Sequence, residues 1–262
     1  MTHALPLDGR GAVITGGGRG IGAEAARQLA EAGASVVVTA RSRDQIDAVA
    51  EALRAEGHAA HAIPCDVGDP DQIEALRDRA IEALGTVDIV VNNAGIASSA
   101  TVGRTTLEQW EQIMRVNATG VFLVTQAFLQ PMLDRGWGRV VNVSSVAGKA
   151  GAPYISAYCA SKHAVIGFTR AAAVEVAERG VTVNAVCPGY VETEMATNTI
   201  DTIVGKTGLA EEKARHTLEK MSPQKRIFGS DEVGAQILYL CLPLSAGVNG
   251  QSLVLDGGAF QA

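Results

Sequence analysis

The sequence lacks the features that mark nucleic-acid-binding and membrane proteins. Its 262 residues carry a net charge of −6 and contain no basic run, which disfavours nucleic acid and anionic membranes as partners. No apolar stretch approaches the ~18–20 residues of a membrane-spanning helix. Because only 19% of the residues are charged and 47% are hydrophobic, the chain can bury a large core and disorder is not expected.

Cysteine and histidine are scarce and lack the spacing of disulfide frames or metal sites. The cysteines, which form no CxxC pair, are Cys65, Cys159, Cys187 and Cys241. The histidines, which show no ligand spacing, are His3, His58, His61, His163 and His216. This pattern predicts reduced thiols and no metal. Residues 1–7 lack a charged region and a long apolar run, so we expect no signal peptide and a cytoplasmic protein.

Short apolar runs alternate with helical patterns along the chain. The runs predict strands at 11–15, 35–40, 59–65, 87–91, 139–143, 181–187 and 252–255. The helical patterns cover 21–32, 45–56, 70–84, 107–133 and 157–177. Near-continuous apolar strands separated by helices indicate a parallel sheet covered on both faces. We therefore expect one α/β domain over residues 1–262, a doubly wound Rossmann-type sheet with ligands at the carboxyl ends of its strands.

Residues 192–224 interrupt this alternation with a polar, helix-prone insert. The insert follows the sixth predicted strand and overhangs the ligand-binding edge, so we interpret it as a helical substrate lid. The alternative is a surface excursion without function. Its apolar residues either contact a substrate chain or ring, or pack the lid against the body; they are Met195, Ile200, Ile203, Val204, Leu209 and Leu218.

A glycine-rich segment at 15–22 follows the first predicted strand. Glycines allow a sharp turn and close approach to a pyrophosphate, and the next helix aims its free N–H groups at the anion. The spacing is not GxGxxG in its usual register, and a glycine-rich turn alone is also typical of an ordinary strand–helix connection. Its place in the first strand–helix unit favours dinucleotide binding by Gly16, Gly20, Ile21 and Gly22.

The end of the second strand indicates which dinucleotide is bound. NAD enzymes usually place an acid there to hold the ribose 2′-hydroxyl. Here the segment 39–43 contains no acid. Arg41 can bind a 2′-phosphate bidentately, Arg19 can reach the same phosphate from the glycine-rich loop, and Ser42 can donate a hydrogen bond. Each arginine alone is also typical of a solvated surface cation, but two cations together with the missing acid predict NADP(H).

Tyr158 and Lys162 are separated by one helical turn and share a face of a predicted helix. A free tyrosine has a pKa of about 10, and a nearby ammonium lowers that pKa. We therefore expect Lys162 to make Tyr158 a usable acid or base. Tyr154 has no lysine four residues later and is not a candidate.

Further polar residues follow predicted strands or lie within the long predicted helix. Ser144 and Ser145 end the fifth strand, and residues 92–95 close the fourth. Asn117 lies among apolar residues of the long helix, either as a satisfied core amide or as a site residue.

Together these motifs resemble the short-chain dehydrogenase/reductase family over nearly the whole chain. The matching positions are 15–22, Asp66-Val67, 92–95, Asn117, Ser145, Tyr158, Lys162, Asn184 and Pro188-Gly189. They occur in the family's order, with Ser145 thirteen residues before Tyr158. No single motif is specific, but the combination is.

The resemblance implies a role for each matching residue. Tyr158 donates a proton, Ser145 rather than Ser144 orients the carbonyl, and Lys162 holds the nicotinamide ribose and tunes Tyr158. Asn117 anchors a water in the proton relay. Asp66 and Val67 flank the adenine, and Thr193 touches the carboxamide. The full expected cofactor-binding set is Gly16, Arg19, Gly20, Ile21, Gly22, Arg41, Ser42, Asp66, Val67, Asn92, Ala94, Gly95, Tyr158, Lys162, Pro188, Gly189, Val191 and Thr193.

Within the family, the sequence is most similar to 3-oxoacyl-thioester reductases and polyketide ketoreductases. The tripeptide 96–98 departs from the Pro-Gly-Gly often found in the latter, which counts against a large polycyclic substrate. We expect reduction of a ketone, either a 3-oxoacyl thioester or a related ketone, with Arg135 and Arg179 as candidate carrier-protein contacts. Arg179 more simply caps a helix.

Two other functions fit the sequence. The same site could oxidise a secondary alcohol or a 3-hydroxyacyl-CoA, or the chain could be a non-catalytic dinucleotide sensor. A sensor should have lost Tyr158, Lys162 or Ser145, and all three are present. The family resemblance also implies a homotetramer, which the apolar predicted helices at 107–133 and 157–177 would suit.

Overall fold

Seven parallel strands form the centre of the computed structural model, which describes residues 5–261. They are β1 Gly11–Thr15, β2 Ser35–Thr39, β3 Ala60–Ala62, β4 Ile89–Asn92, β5 Gly138–Val143, β6 Val181–Pro188 and β7 Ser252–Leu255. Their spatial order is β3-β2-β1-β4-β5-β6-β7, and every neighbouring pair is parallel. The winding reverses between β1 and β4, which places the ligand crevice at their carboxyl ends. The predicted doubly wound α/β fold is confirmed.

The central strands are buried on both faces because their residues point alternately to the two sides of the sheet. On β2, Val36 and Val38 pack into one hydrophobic cluster, whereas Val37 packs into the cluster on the opposite face. On β1, Ile14 and Val13 divide in the same way. Two buried faces explain why the strands appear in the sequence as unbroken apolar runs rather than alternating patterns.

Helices cover both faces of the sheet. They are α1 Gly20–Glu31, α2 Arg43–Ala55, α3 Pro70–Leu84, α4 Leu107–Met114, α5 Gly120–Arg135, α6 Ser156–Val176, α7 Glu194–Thr207, α8 Glu211–Glu219 and α9 Ser230–Cys241. Helix α3 matches its prediction because its start signals are strong. The Asp69 carboxylate accepts the backbone N–H groups of Asp71 and Gln72, and Pro70 occupies the first turn.

Three sequence expectations differ from the structure. The predicted third strand, 59–65, has regular strand structure only over Ala60–Ala62, although backbone hydrogen bonds from Ile63 to Val38 and from Cys65 to Ala40 extend its contact with the β2 side. The predicted long helix, 107–133, is divided by a π-helical turn at Arg115–Thr119. Helix α9, which the periodicity did not reveal, packs against α1 and buries Val233 and Ile237.

The insert consists mainly of α7 and α8, which follow β6 at the carboxyl edge of the sheet. Its buried side chains Ile200, Ala214 and Leu218 form a small cluster with Ile227, separate from the two large cores. The insert therefore has its own apolar contacts, whereas most of its other residues are exposed.

No helix in the described part of the chain is long and apolar enough to cross a membrane. The expectation that the chain has no signal peptide concerns residues 1–7. Residues 1–4, which include His3, lie outside the described part of the chain.

Candidate active site

Four predicted catalytic residues meet beside the carboxyl ends of β4 and β5. Ser145 lies two residues after the end of β5, Tyr158 and Lys162 lie on α6, and Asn117 lies on the π-helical turn between α4 and α5. Asn117 and Lys162 are buried, whereas Tyr158 and Ser145 are only partly buried. Residues far apart in the sequence are thus brought together as one cluster of polar side chains at the ligand-binding edge of the sheet.

The side chain of Asn117 is fully buried and fixed by three hydrogen bonds. Its Oδ1 accepts the backbone N–H of Ile96 at 2.8 Å, and its Nδ2 donates to the Ile96 carbonyl at 2.8 Å. Nδ2 also donates to Ser161 Oγ at 3.1 Å, and Ser161 Oγ donates to the Tyr158 carbonyl at 2.8 Å. The π-helical turn therefore ties the loop after β4 to the helix that carries Tyr158. Ser161 was not singled out from the sequence, where it is one more serine on a helix.

Lys162 is held against the end of β5. Its Nζ donates to the Val143 carbonyl at 2.8 Å and lies 5.6 Å from the centre of the Tyr158 ring. Burial disfavours the charged ammonium and lowers the pKa of Lys162 to about 8. The predicted one-turn placement of Tyr158 and Lys162 is what the structure shows.

The expected lowering of the Tyr158 pKa by Lys162 is not what the structure shows. Burial disfavours the phenolate and raises the pKa of Tyr158 to about 12, and the nearby Ser145 hydroxyl offsets only part of that rise. Tyr158 is therefore held as a neutral hydroxyl over the physiological range, the form required of a proton donor.

The two neighbouring serines have different surroundings. Ser144 is buried, and its Oγ donates to the carbonyl of Lys162 at 3.0 Å. Ser145 is more exposed and lies near enough to Tyr158 to lower the pKa of that hydroxyl in part, and its Oγ accepts the backbone N–H of Ala147 at 3.1 Å. The geometry places Ser145 near Tyr158 and gives Ser144 a structural bond, and the choice of Ser145 over Ser144 as the residue that orients the carbonyl stays a prediction.

The glycine-rich loop has the close packing of a phosphate-binding turn. Gly16 has φ of +63°, and a Cβ on Gly22 would lie 2.3 Å from the Gly16 carbonyl oxygen, so both positions require glycine. Helix α1 begins at Gly20 with no capping side chain, which leaves its first N–H groups available to an anion. The residues present therefore fit a dinucleotide pyrophosphate at this turn.

Two neighbouring asparagines differ from expectation. Asn92 was expected to line the cofactor cleft, but its side chain is only 2% exposed. Its Nδ2 donates to Thr125 Oγ1 and Asn142 Oδ1 at 2.9 and 2.8 Å, so it joins β4 to β5 and α5. Asn93, which was not predicted, donates to the carbonyls of Thr15 and Gly16 at 3.0 and 3.1 Å. Asn93 thus positions the glycine-rich loop.

Other predicted cofactor residues lie along the same edge. A Cβ on Gly95 would stand 3.6 Å from Lys162 Nζ, which places Gly95 at the site. Ala94 follows Asn93, and its backbone N–H donates to Thr15 Oγ1 at 3.1 Å. Asp66 accepts the backbone N–H of Gly68, whereas the Val67 side chain is buried in the core. Only backbone atoms of Val67 can therefore contact an adenine.

The segment after β6 runs from the sheet edge to the glycine-rich loop. The backbone N–H of Gly189, which follows Pro188, donates to the Leu255 carbonyl at 2.9 Å. Val191 is buried, and the Thr193 methyl lies 3.0 Å from the position of a Cβ on Gly20. Thr193 therefore packs on the loop at the place expected for a cofactor contact.

The two arginines expected at the 2′-phosphate differ in their partners. Within the described residues, Arg41 is exposed with no carboxylate within ion-pair distance, and Ser42 makes no capping hydrogen bond to α2. Arg19 instead forms an ion pair with Glu194, the first residue of α7. The absence of an acid at the end of β2 leaves room for a phosphate beside Arg41.

The carrier-protein contacts considered from the sequence lie at the wrong edge. Arg135 donates to the carbonyl of Val87, before the amino end of β4. Arg179 donates to the carbonyl of Leu133 near the end of α5. Both arginines bond to backbone carbonyls at the edge opposite Tyr158, so they do not border the site. Among the described residues, no group of three or more His, Cys, Asp or Glu side chains could hold a metal ion.

Comparisons with known proteins agree with this geometry. The model of the short chain dehydrogenase family matches residues 10–204. A 3-oxoacyl-[acyl-carrier-protein] reductase of Aquifex aeolicus is 35% identical, over 98% of this chain and 99% of the relative.

Two solved structures are similar over nearly the full chain. One is a variant of actinorhodin polyketide ketoreductase with NADPH, with a TM-score of 0.93 and 39% identity over 95% of this chain and 97% of that chain. The other is a gluconate 5-dehydrogenase from Burkholderia cenocepacia in complex with NADP and tartrate, with a TM-score of 0.89 and 38% identity over 98% of both chains.

Proposed function

Because the chain belongs to the short chain dehydrogenase family, we propose that it is an NADPH-dependent reductase that converts a ketone to a secondary alcohol. The substrate we propose is a 3-oxoacyl thioester or a related ketone, the class on which the Aquifex relative is named to act. The observation that carries the proposal is the meeting of Tyr158, Ser145 and the buried Lys162 beside the end of β5, with Lys162 Nζ held 5.6 Å from the centre of the Tyr158 ring.

Each of these residues has a distinct role in the proposed reaction. Tyr158 donates its proton to the carbonyl oxygen, and Ser145 hydrogen-bonds the same oxygen and orients it. Lys162 holds the ribose of the cofactor at the end of β5. Asn117, with its amide fixed by Ile96 and Ser161, holds a water that returns a proton towards Tyr158.

The cofactor, when bound, supplies a hydride to the carbonyl carbon. The free N–H groups at the start of α1 would hold its pyrophosphate, and Thr193 its carboxamide. Arg41, Arg19 and Ser42 would bind the 2′-phosphate, which NAD(H) lacks. NADP(H) is the cofactor in both similar solved structures.

We further propose that residues 192–224 form the substrate lid. The structure divides the apolar residues of this segment into two groups. Ile200 and Leu218 are buried within it, whereas Met195 and Leu209 are 41% and 39% exposed. The exposed pair is available to a substrate, and Met195 lies in the first turn of α7, next to the glycine-rich loop.

A homotetramer is the assembly we propose. Helices α4, α5 and α6 expose Trp110, Phe122 and Val174, and the Phe122 ring packs edge-on against Phe168. Light scattering of the purified protein measures the assembly directly, and a monomeric mass would exclude it. We retain a cytoplasmic location as part of the proposal.

The activity is tested by a panel of carbonyl and alcohol substrates with NADPH, NADH and their oxidised forms. We expect acetoacetyl-CoA, a simple 3-oxoacyl thioester, to oxidise NADPH. If instead only secondary alcohols or 3-hydroxyacyl thioesters react, the chain is a dehydrogenase, the function named for the Burkholderia structure. Cofactor binding without turnover across the panel would support the sensor and contradict the proposal.

A further inference from the structure

The start of the lid lies directly on the glycine-rich loop. Thr193 immediately precedes α7, and its methyl group lies 3.0 Å from the position of a Cβ on Gly20. The next residue, Glu194, forms an ion pair with Arg19, the residue before α1. Two successive residues of the insert therefore contact two successive residues of the loop that would receive the cofactor.

Glu194 binds the guanidinium of Arg19. The proposed function assigns this same cation to the 2′-phosphate of the cofactor. The side chains of Arg19 and Glu194 are 57% and 50% exposed, so the pair is reachable from solvent. A guanidinium presents the same fork of donors to a carboxylate as to a phosphate. A carboxylate and a 2′-phosphate would therefore compete for one side chain.

We propose that Glu194 is a specificity-determining residue for the cofactor: its carboxylate holds Arg19 until a 2′-phosphate displaces it, which releases the first turn of α7 from the glycine-rich loop. This inference rests on the proposed binding of NADPH through Arg19. NADH has no 2′-phosphate and would leave the Arg19–Glu194 pair intact. The pair thereby connects the choice of cofactor to the attachment of the lid.

The direction of the effect follows from the competition. NADPH must break an ion pair before Arg19 can bind it, so Glu194 weakens NADPH binding. By thermodynamic linkage, the free energy by which bound NADPH weakens the Arg19–Glu194 pair equals the free energy by which the pair weakens NADPH binding. Exposed ion pairs contribute modestly and are screened by salt, so removing Glu194 should tighten NADPH binding roughly two- to fivefold at low ionic strength.

The insert contains a suitable control residue. Glu192, two residues earlier, has a similarly exposed carboxylate that pairs with Arg215 rather than Arg19. Glu192→Gln removes the same charge as Glu194→Gln from the same segment. A general change in the field around the cofactor would appear in both variants, whereas competition for Arg19 would appear only in Glu194→Gln.

The experiment measures the Kd of NADPH and of NADH by nucleotide fluorescence, at low and high salt. The proteins are the wild type, Glu194→Gln, Glu192→Gln, Arg19→Gln and the Arg19→Gln/Glu194→Gln double variant. We expect Glu194→Gln alone to tighten NADPH, with NADH unchanged and with no further effect of Glu194→Gln once Arg19 is removed. Equal tightening of both nucleotides, no tightening, or the same gain in Glu192→Gln would overturn the proposal.

Hydrogen exchange provides a second readout that does not depend on affinity. Peptides covering the first turns of α7 should exchange faster with saturating NADPH than with saturating NADH in the wild type, and equally in Glu194→Gln. Identical exchange in the wild type would contradict release of the lid. A wild type that binds NADH more tightly than NADPH would instead contradict the proposed cofactor, so the two failures are distinguishable.

Discussion

The site residues on α6 and the π-helical turn contrast with the insert that faces them. Asn117, Ser161 and Lys162 are buried and joined by hydrogen bonds of 2.8–3.1 Å to the backbone and to one another. The insert, residues 192–224, is largely exposed, and its buried side chains belong to a small separate cluster.

This difference in burial and hydrogen bonding corresponds to two different requirements, proton donation and the admission of ligands. A proton donor must be held in one geometry, and buried hydrogen-bonded groups cannot move without leaving polar atoms unpaired. A surface that admits and releases ligands needs the opposite, since segments with few buried contacts open at low free-energy cost. The chemistry and the admission of substrate are therefore placed in regions of different stability.

The largest effect is expected from the fixed region. Tyr158→Phe removes the proton donor and keeps the ring, so kcat should fall by about 10²–10⁴ while the Kd of NADPH hardly changes. Steady-state kinetics and fluorescence titration measure the two quantities. The control is Tyr154→Phe, because Tyr154 is exposed and hydrogen-bonds to no catalytic residue through its hydroxyl in the described structure. Turnover at the wild-type rate in Tyr158→Phe would refute the mechanism.

Burial of Lys162 predicts a dependence of stability on pH. The pKa of Lys162 falls from 10.5 to about 8 in the folded state, so between these values the unfolded chain binds more protons at this residue. The contribution of Lys162 to the unfolding free energy should then increase as pH rises through that interval, by roughly 3 kcal/mol at ~1.4 kcal/mol per tenfold change in proton affinity.

Urea denaturation of the wild type and Lys162→Met at several pH values tests this prediction. The unfolding free energy of the wild type should increase relative to that of Lys162→Met between about pH 8 and pH 10.5. A constant difference between the two proteins would show that Lys162 keeps its ordinary pKa and is not buried as the structure places it.

The adenosine end of the site, where Arg41 lies, is outside both regions. Substitutions there should have a smaller effect, one that distinguishes NADPH from NADH. A charge-assisted hydrogen bond contributes about 1.5–3 kcal/mol, so Arg41→Ala should weaken NADPH roughly ten- to a hundredfold and NADH little. Adding Ala40→Asp should reverse the preference, because a carboxylate repels the 2′-phosphate and accepts from a 2′-hydroxyl.

The readout is kcat/KM for both cofactors with one ketone. Arg43→Ala is the matched control, since Arg43 pairs with Asp47 on α2. A native enzyme that already prefers NADH would show that Arg41 is only a surface cation, and would make the dehydrogenase the leading function.

The smallest effect is expected in the insert itself. Peptides from residues 192–224 should exchange faster than those from α6 in the free protein, and should become protected when substrate joins the NADPH complex. Mass spectrometry of the free, NADPH-bound and ternary forms measures this. Uniform protection in all three forms would make the insert a rigid surface element and remove the contrast between the two regions.

How well the sequence predicts each part depends on whether the signal is local. Strand β1 and helix α3 were predicted with the observed bounds, because an apolar run and an Asp-Pro start are read from adjacent residues. Helix α9 was missed although a signal was present: the Glu232 carboxylate accepts the backbone N–H of Gly229, and apolar residues follow at helical spacing. The π-helical turn leaves no such pattern.

For the site, the sequence identifies the residue types but not the partners they choose. Asn92 and Asn93 are chemically identical, yet one joins two strands inside the protein and the other holds the glycine-rich loop. Likewise, the lysine one turn from Tyr158 suggested a lowered pKa, whereas burial raises it. Burial and hydrogen-bond direction depend on elements far away in the chain.

Lys162 is bound twice by the end of the same strand. Its Nζ donates to the carbonyl of Val143, and its own carbonyl accepts the hydroxyl of Ser144. Sliding α6 along β5 by even a fraction of a turn would break both bonds at once, which makes β5 and α6 a single mechanical unit. An engineer who exchanges residues 192–224 for another insert should therefore change which molecules enter while the spacing between Tyr158 and the strand stays as it is.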